Sequence, residues 1–362
     1  MSVSVVILNW NGKKYLEKFL PFLQESVLDM PEVDIVVADN GSEDGSLKLM
    51  KDKFPEITTL SFDKNYGFAG GYNRALKELQ SDYFVLLNSD VEVTKDWLRV
   101  LYDYMERNSS VAACQPKILS YYKRNFFEYA GACGGFIDKY GYPFCRGRIF
   151  GVVEEDFGQY DDIKDVFWAT GACLMIRSKD YWEAGGLDEE FFAHQEEIDL
   201  CWRLKSRGRR IVCNPQSVVY HIGGGTLDAE NPRKIYFNFR NNLLMLYKNL
   251  PQRSLRRVFN VRFYLDNLAA FWYFITGKFK NMKAITDART EFRKMQSSFV
   301  AKRDENILKS VRSTFTEISQ NSILYEYYIK RNRKFSQLVR DDEIFVDEEH
   351  AVKQEDDNKK DG

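Results

Sequence analysis

The chain has 362 residues, 44% of them hydrophobic, which is enough to bury a substantial core and excludes wholesale disorder. Charged residues make up 29%, yet 52 Lys and Arg against 53 Asp and Glu leave a net charge of -1, so nothing global points to nucleic acid. Six scattered cysteines without a C-x-x-C pair, beside only three distant histidines, argue against a zinc module.

The chain starts with Ser2-Val3-Ser4-Val5-Val6-Ile7-Leu8, which has no basic leader and no small-residue cleavage site and reads as a first strand rather than a signal peptide. A cytoplasmic protein with reduced thiols is expected. Short apolar runs then alternate with helical patterns: Val3 to Leu8 and Lys13 to Val27, Asp34 to Ala38 and Asp44 to Phe54, Ile57 to Phe62 and Gly71 to Leu79, Tyr83 to Leu87 and Lys95 to Arg107. This βαβ rhythm predicts an α/β fold with a mostly parallel sheet covered on both faces, whose ligands bind at the carboxyl ends of the strands. From about Tyr121 to Lys164 the text is rich in Tyr, Gly and Phe and reads as loops or short antiparallel strands. Structure resumes with Val166 to Arg177, helices near Lys179 to Ala184 and Glu196 to Arg207, and strands at Arg210 to Cys213 and Val218 to Tyr220. No internal repeat is present.

Beyond Pro251 the composition shifts. Residues 253–340 carry 19 Lys and Arg against 7 Asp and Glu, and residues 341–362 carry 3 against 10. Three parts follow: a domain over 1–250, a basic helical extension over 251–340, and an acidic tail over 341–362, read as disordered. Within the extension, Val258 to Phe279 is aromatic and apolar with cations on both sides. Its longest uncharged stretch, Asn267 to Gly277, is too short to span a bilayer, which takes about 18 apolar residues. It suits a helix lying in a membrane interface, or one packed on the catalytic domain or on a second subunit.

The strand ends carry the chemistry. Asp90, after Phe84-Val85-Leu86-Leu87-Asn88-Ser89, either holds a divalent cation that bridges phosphates or caps the helix near Lys95. Asp39, in Asp39-Asn40-Gly41-Ser42, either accepts a hydrogen bond from a nucleotide base or ribose or serves its own turn. Gly67, Gly70 and Gly71 would let the backbone approach a nucleotide, but they form no dinucleotide fingerprint, and there is no P-loop. Glu196 and Glu197 open an amphipathic helix whose dipole favours ionised carboxylates, as a general base requires, though acidic residues are common in first turns. Asp199 and Arg203, spaced i, i+4, read as a structural ion pair. His221, followed by Ile222 and then Gly223-Gly224-Gly225-Thr226, could complete a metal site with Asp90. His194 contacts an acceptor or packs beside Glu196, and His350 in the tail reads as inert.

In order along the chain, Val5 to Gly12, Val37 to Ser42, Asn65 to Asn73, Leu87-Asn88-Ser89-Asp90, Thr170-Gly171-Ala172, Glu196 to Arg203 and Tyr220-His221 with its glycines resemble glycosyltransferase family 2. These are inverting nucleotide-sugar enzymes, and the likeness is to the bacterial branch that includes rhamnosyltransferases of polysaccharide assembly. The resemblance spans about Val3 to Tyr247. It implies a GT-A fold, a Rossmann-like, mostly parallel sheet flanked by helices with a helical C-terminal extension. It implies a dTDP- or UDP-sugar donor at Asn9, Asn11, Asp39, Asn65, Gly70, Gly71, Asn73, Asn88 and Ser89, with Asp39 reading the base. It implies Mn2+ or Mg2+ at Asp90 and His221, Glu197 or Glu196 as base, and a glycan or lipid-linked acceptor near Thr170, Gly171 and His194. Work at the inner leaflet is implied as well, and a homodimer is compatible with it. Two departures stand out: Asn88 replaces the first acid of the DxD motif, and Glu197 replaces Asp. A binding or scaffold protein without turnover is the rival class, disfavoured because Asp90, His221 and Glu197 are all intact. A nucleotidyltransferase is disfavoured by the poor phosphate loop at Asn9 to Lys13.

Overall fold

The structure is a computed structural model that describes residues 1–223 and 231–338; positions 224–226 of the glycine run and the acidic tail with His350 lie outside the described residues. The main sheet is built from β1 (Val3–Asn9), β2 (Val33–Asp39), β3 (Thr58–Ser61), β4 (Tyr83–Asn88), β5 (Val91–Val93) and β6 (Val111–Ser120). A second, smaller sheet takes β7 (Gly135–Asp138), β8 (Pro143–Cys145), β9 (Arg148–Ile149) and β10 (Val152–Val153). Later in the chain β11 (Lys164–Asp165), β12 (Cys173–Arg177) and β13 (Arg210–His221) return to the main sheet, and β14 (Ile318–Ser319) joins the small one. The main sheet runs β11-β13-β6-β12-β4-β1-β2-β3, with β5 against β13.

Strands β3, β2, β1 and β4 are mutually parallel, as the βαβ rhythm predicts. β12 enters antiparallel between β4 and β6, so the sheet is parallel on one side of β12 and mixed on the other. Side chains alternate across it. Val5, Ile7, Val85 and Leu87 pack with α1 (Lys13–Ser26) and α2 (Ser46–Lys53). Val6, Phe84 and Leu86 pack on the other face with Tyr72 and Leu76 of α3 (Gly67–Lys77). The helix completing the first layer, α4 (Trp97–Arg107), buries Trp97, Leu98 and Leu101. The two strands expected at Arg210 to Cys213 and Val218 to Tyr220 are one strand. Its pairing with β6 shifts register between Asn214 and Val218, a bulge that the intervening Pro215 accommodates.

The remaining helices are α5 (Ser178–Glu183), α6 (Glu196–Ser206), α7 (Pro232–Asn249), α8 (Gln252–Ile275), α9 (Phe279–Met295) and α10 (Val300–Leu308). The extension folds back on the rest of the chain. β14 pairs parallel with β7, Phe335 packs against Phe136 and Phe144, and Lys302 of α10 reaches Asp188 at 2.6 Å. All six cysteines are free and buried. No described helix is long and apolar enough to cross a membrane.

Candidate active site

The site is assembled where β1, β2, β4 and β13 end, as expected for a sheet of this kind. Asp90 lies two residues past β4, and the helix whose cap was its alternative role begins at Trp97 behind Asp96. Its carboxylate meets His221, the last residue of β13, with Oδ1 3.1 Å from Nε2. Nδ1 of the same ring lies 3.0 Å from Glu128 Oε2. Burial disfavours the charged ring, but Asp90 and Glu128 on either side outweigh it and hold the imidazolium up to about 10. Gly223 has a positive φ of 67°, and a Cβ there would collide with Glu128, so the first glycine after His221 is required by packing.

A divalent cation is tested by the donor set. One carboxylate oxygen and one imidazole nitrogen, 3.1 Å apart at the sheet edge, are donor types that a divalent cation accepts. An ion at Nε2 would have to displace the proton that Asp90 favours there, with the Nδ1 proton kept on the Glu128 side, the usual arrangement around a metal-bound histidine. No group of three or more His, Cys, Asp or Glu among the described residues is placed to hold an ion together, so such an ion would complete its shell with phosphate and water. The residues fit. Glu128 had no signal in the sequence beyond lying in the irregular stretch.

The catalytic candidates open α6. Glu196 is 4% exposed, and burial, then the charge of Glu197, pushes its carboxyl well above the ordinary range. Burial also pushes Glu197, up to about 7, against the backbone amides of the first helical turn. The macrodipole therefore does not keep both carboxyls ionised as the sequence reading expects, because desolvation is the larger effect and holds Glu196 protonated. One oxygen of each carboxyl, Oε2, is buried with no hydrogen-bond partner among the described residues. Buried orphan acceptors of this kind are uncommon and are open to a donor from water or a ligand.

The loop before them is strained. Phe192, His194 and Gln195 all have positive φ (64°, 71° and 74°), a conformation that L side chains rarely adopt. Asn241 of α7, fully buried, holds it: Nδ2 donates to the carbonyls of Phe191, Ala193 and His194 at 2.9, 2.9 and 2.8 Å. Periodicity places Asn241 on a helix but cannot show what it clamps. Asn241→Ala should leave those carbonyls unsatisfied and let the glutamates drift, so kcat should fall about tenfold or more with the donor KM unchanged. Steady-state kinetics check this, and an unchanged kcat would show that the loop is held by other contacts.

Several expected donor and acceptor contacts are used internally. Asp39 is 1% exposed and accepts from Asn9 Nδ2 at 2.9 Å and from the Ser42 amide at 2.8 Å, so its turn role is realised, with a lone pair left on each oxygen. Asn9 Oδ1 is buried without a partner among the described residues, against Gly12. Asn11 braces the loop by accepting from the Glu43 amide, and Asn65 accepts from the Gly67 amide. Asn73 is turned away from the expected donor role: it bonds Leu187 and Tyr181 and ties α3 to the segment before α6. Gly71 and Gly67 are small for packing reasons, since a Cβ would strike Leu8 at 2.7 Å and the Phe192 carbonyl at 2.5 Å respectively. Gly70 lies in the same turn, beside Arg74 and Tyr66. Thr170 is 3% exposed and bonds Gln115 and Ala172, and a Cβ on Gly171 would meet Phe68, so both brace the sheet rather than face an acceptor. His194 is half-buried, and burial and Lys234 lower its ring to about 4, so it is neutral. Asn88 and Ser89 stay half-exposed at the end of β4.

The α/β sheet, with an acid and a histidine at its carboxyl edge, has the GT-A fold of solved glycosyltransferases. Residues 4–180 match glycosyl transferase family 2. Over 232 residues the chain is 26% identical to the N-acetylglucosaminyl-diphospho-decaprenol L-rhamnosyltransferase of Mycobacterium tuberculosis, covering 60% of this chain and 75% of that one. It is 22% identical over 262 residues to the rhamnosyltransferase WbbL of Escherichia coli K12, covering 70% of this chain and 94% of that one. It shares its fold with S. aureus TarS 1-349, solved in complex with UDP-GlcNAc, at a TM-score of 0.54 and 15% identity over 85% of this chain and 89% of that one.

Proposed function

We propose that this protein is an inverting, metal-dependent glycosyltransferase of cell-surface polysaccharide assembly, taking a deoxyhexose such as rhamnose from a dTDP- or UDP-sugar to a hydroxyl of a glycan or lipid-linked acceptor. The single observation that carries the chemistry is the buried Glu196–Glu197 pair with its two unpartnered oxygens at the start of α6. Relatives named as rhamnosyltransferases support the sugar. Free, buried cysteines accord with a cytoplasmic site of action. The domain over 1–250 carries the reaction, and the extension over 251–340 braces it.

Asp90 and His221 would hold Mn2+ or Mg2+, which supplies charge neutralisation on the departing nucleoside diphosphate. Asn9 Oδ1, Asn88 and Ser89 line the approach for the donor, and Asp39 keeps lone pairs for a base N–H. Glu197 accepts the proton of the acceptor hydroxyl as its oxygen attacks the anomeric carbon opposite the leaving diphosphate, so one C–O bond forms as another breaks and configuration inverts. Glu196, held protonated by burial, can donate a hydrogen bond into the same site. No covalent intermediate is required, and positioning carries much of the acceleration.

The test is calorimetric binding of dTDP-, UDP- and GDP-sugars with and without Mn2+. One donor should bind with metal, Asp90→Ala should weaken that binding by at least about tenfold, and Glu128→Gln should weaken Mn2+ itself about 10–100-fold. If no nucleotide sugar binds under either condition, a scaffold of the same fold becomes the better account.

A further inference from the structure

Helix α8 has two unlike faces. Val258, Arg262, Asp266 and Ala270, four residues apart, are buried, and Asp266 pairs with Arg262 and with Arg289 of α9. The opposite face is exposed through Tyr264 (72%), Leu268, Phe271, Trp272 (61%) and Ile275, and continues into Phe279 at the start of α9. Lone exposed apolar residues are ordinary, but a contiguous stripe of large ones marks an interaction surface. Further along the same face toward the N-terminus lie the exposed Arg253, Arg256 and Arg257, and past the apolar stretch lie the exposed Lys278 and Lys280. From 252 to 283 the one carboxylate is Asp266, and it is buried.

We propose that this face of α8 and the start of α9 is a membrane-docking surface that lies in the plane of an anionic bilayer, its aromatic stripe in the interface and its cations among lipid phosphates. The stripe from Phe263 to Ile275 is about 20 Å long, too short to cross and suited to lying flat. Charge decides the occupant. A second copy paired through the same stripe, in either direction, would set cations against cations with no exposed carboxylate to meet them, whereas anionic lipid neutralises both ends. The helix is also tied to the catalytic loop: Arg262 bonds Asn242 Oδ1, and Asn242 Nδ2 donates to Gln195 Oε1 at 3.1 Å, next to Glu196. Docking therefore fixes the catalytic glutamates relative to the surface, which deepens the reading above for an acceptor carried on lipid and rests on it only in that clause.

The test is co-sedimentation of the full chain with vesicles of phosphatidylcholine alone or mixed with phosphatidylglycerol, beside the double variants Phe271→Ser/Trp272→Ser and Arg256→Glu/Arg257→Glu. The unaltered chain should sediment with the anionic vesicles, less so at high salt, and each double variant should partition about tenfold less. Nucleotide-sugar binding in solution, measured on the same preparations, should be unchanged, which shows that the variants are folded. Vesicle binding without donor binding would sink the transferase reading and leave docking standing. Donor binding without vesicle binding would overturn docking alone. A dimer that the Phe271→Ser/Trp272→Ser change dissociates in the ultracentrifuge, with no vesicle binding, would overturn it in favour of a second copy.

Discussion

Replacing Glu197 by glutamine should lower kcat by about 10²–10⁴-fold, the usual worth of a general base, with donor affinity unchanged. Glu196→Gln should cost far less, because burial already keeps that carboxyl protonated and glutamine copies the neutral form. The pH profile separates the two roles. Burial raises Glu197 to about 7, so kcat/KM of the unaltered enzyme should rise with pH through about 7 and level off above, and this limb should vanish from the residual activity of Glu197→Gln. Stability should move the other way. Between the ordinary value of 4.5 and about 7 the folded protein keeps a proton that the unfolded chain has lost, so stability falls as pH rises, and Glu197→Gln should melt higher than the unaltered protein at pH 8. Equal loss of turnover in both variants, or a flat profile, would remove Glu197 as the base.

Asp199→Ala should cost about 3–5 kcal/mol of stability, the price of leaving buried cations without their partner. Asp199 has no exposure and accepts from Arg203 at 2.9 Å, from Lys248 at 2.8 Å and from Asn249 at 2.8 Å, which joins α6 to α7. Lys248 continues to Asp188 at 2.7 Å, and Asp188 to Lys302 of α10. Burial raises both carboxyls, but the surrounding cations outweigh it and hold them below their usual 3.8. Their contribution is therefore present at neutral pH and is lost as pH falls through the depressed folded values. Urea unfolding at pH 7 measures the effect, with Glu183→Ala as control, because the exposed Lys179–Glu183 pair at 3.8 Å contributes little. A loss under about 1 kcal/mol for Asp199→Ala would mean that the network does not hold these helices together.

The sequence by itself determined the parallel half of the sheet, since uniformly apolar runs between amphipathic helices have few other ways to bury both faces. It determined that Asp90 and His221 stand at strand ends, and that Asp199 and Arg203 pair, because i, i+4 spacing puts them on one side of a helix. The Val258 to Phe279 stretch was left between two readings by its composition, and burial shows that a four-residue period divides it into a packed face and an exposed one. Other features were decided only by tertiary structure. The antiparallel β12 depends on a long-range pairing that local pattern does not encode. Whether a polar side chain at a strand end serves a ligand or its own fold depends on neighbours tens of residues away. Asn73 meets Leu187 and Tyr181, Thr170 meets Gln115, and the fold uses both. The partners that orient the site, Glu128 behind His221 and Asn241 beneath the loop before Glu196, come from segments with no motif of their own. The protonation of the glutamate pair likewise follows from burial, which only packing sets, and it overrides the helix dipole that the sequence could predict.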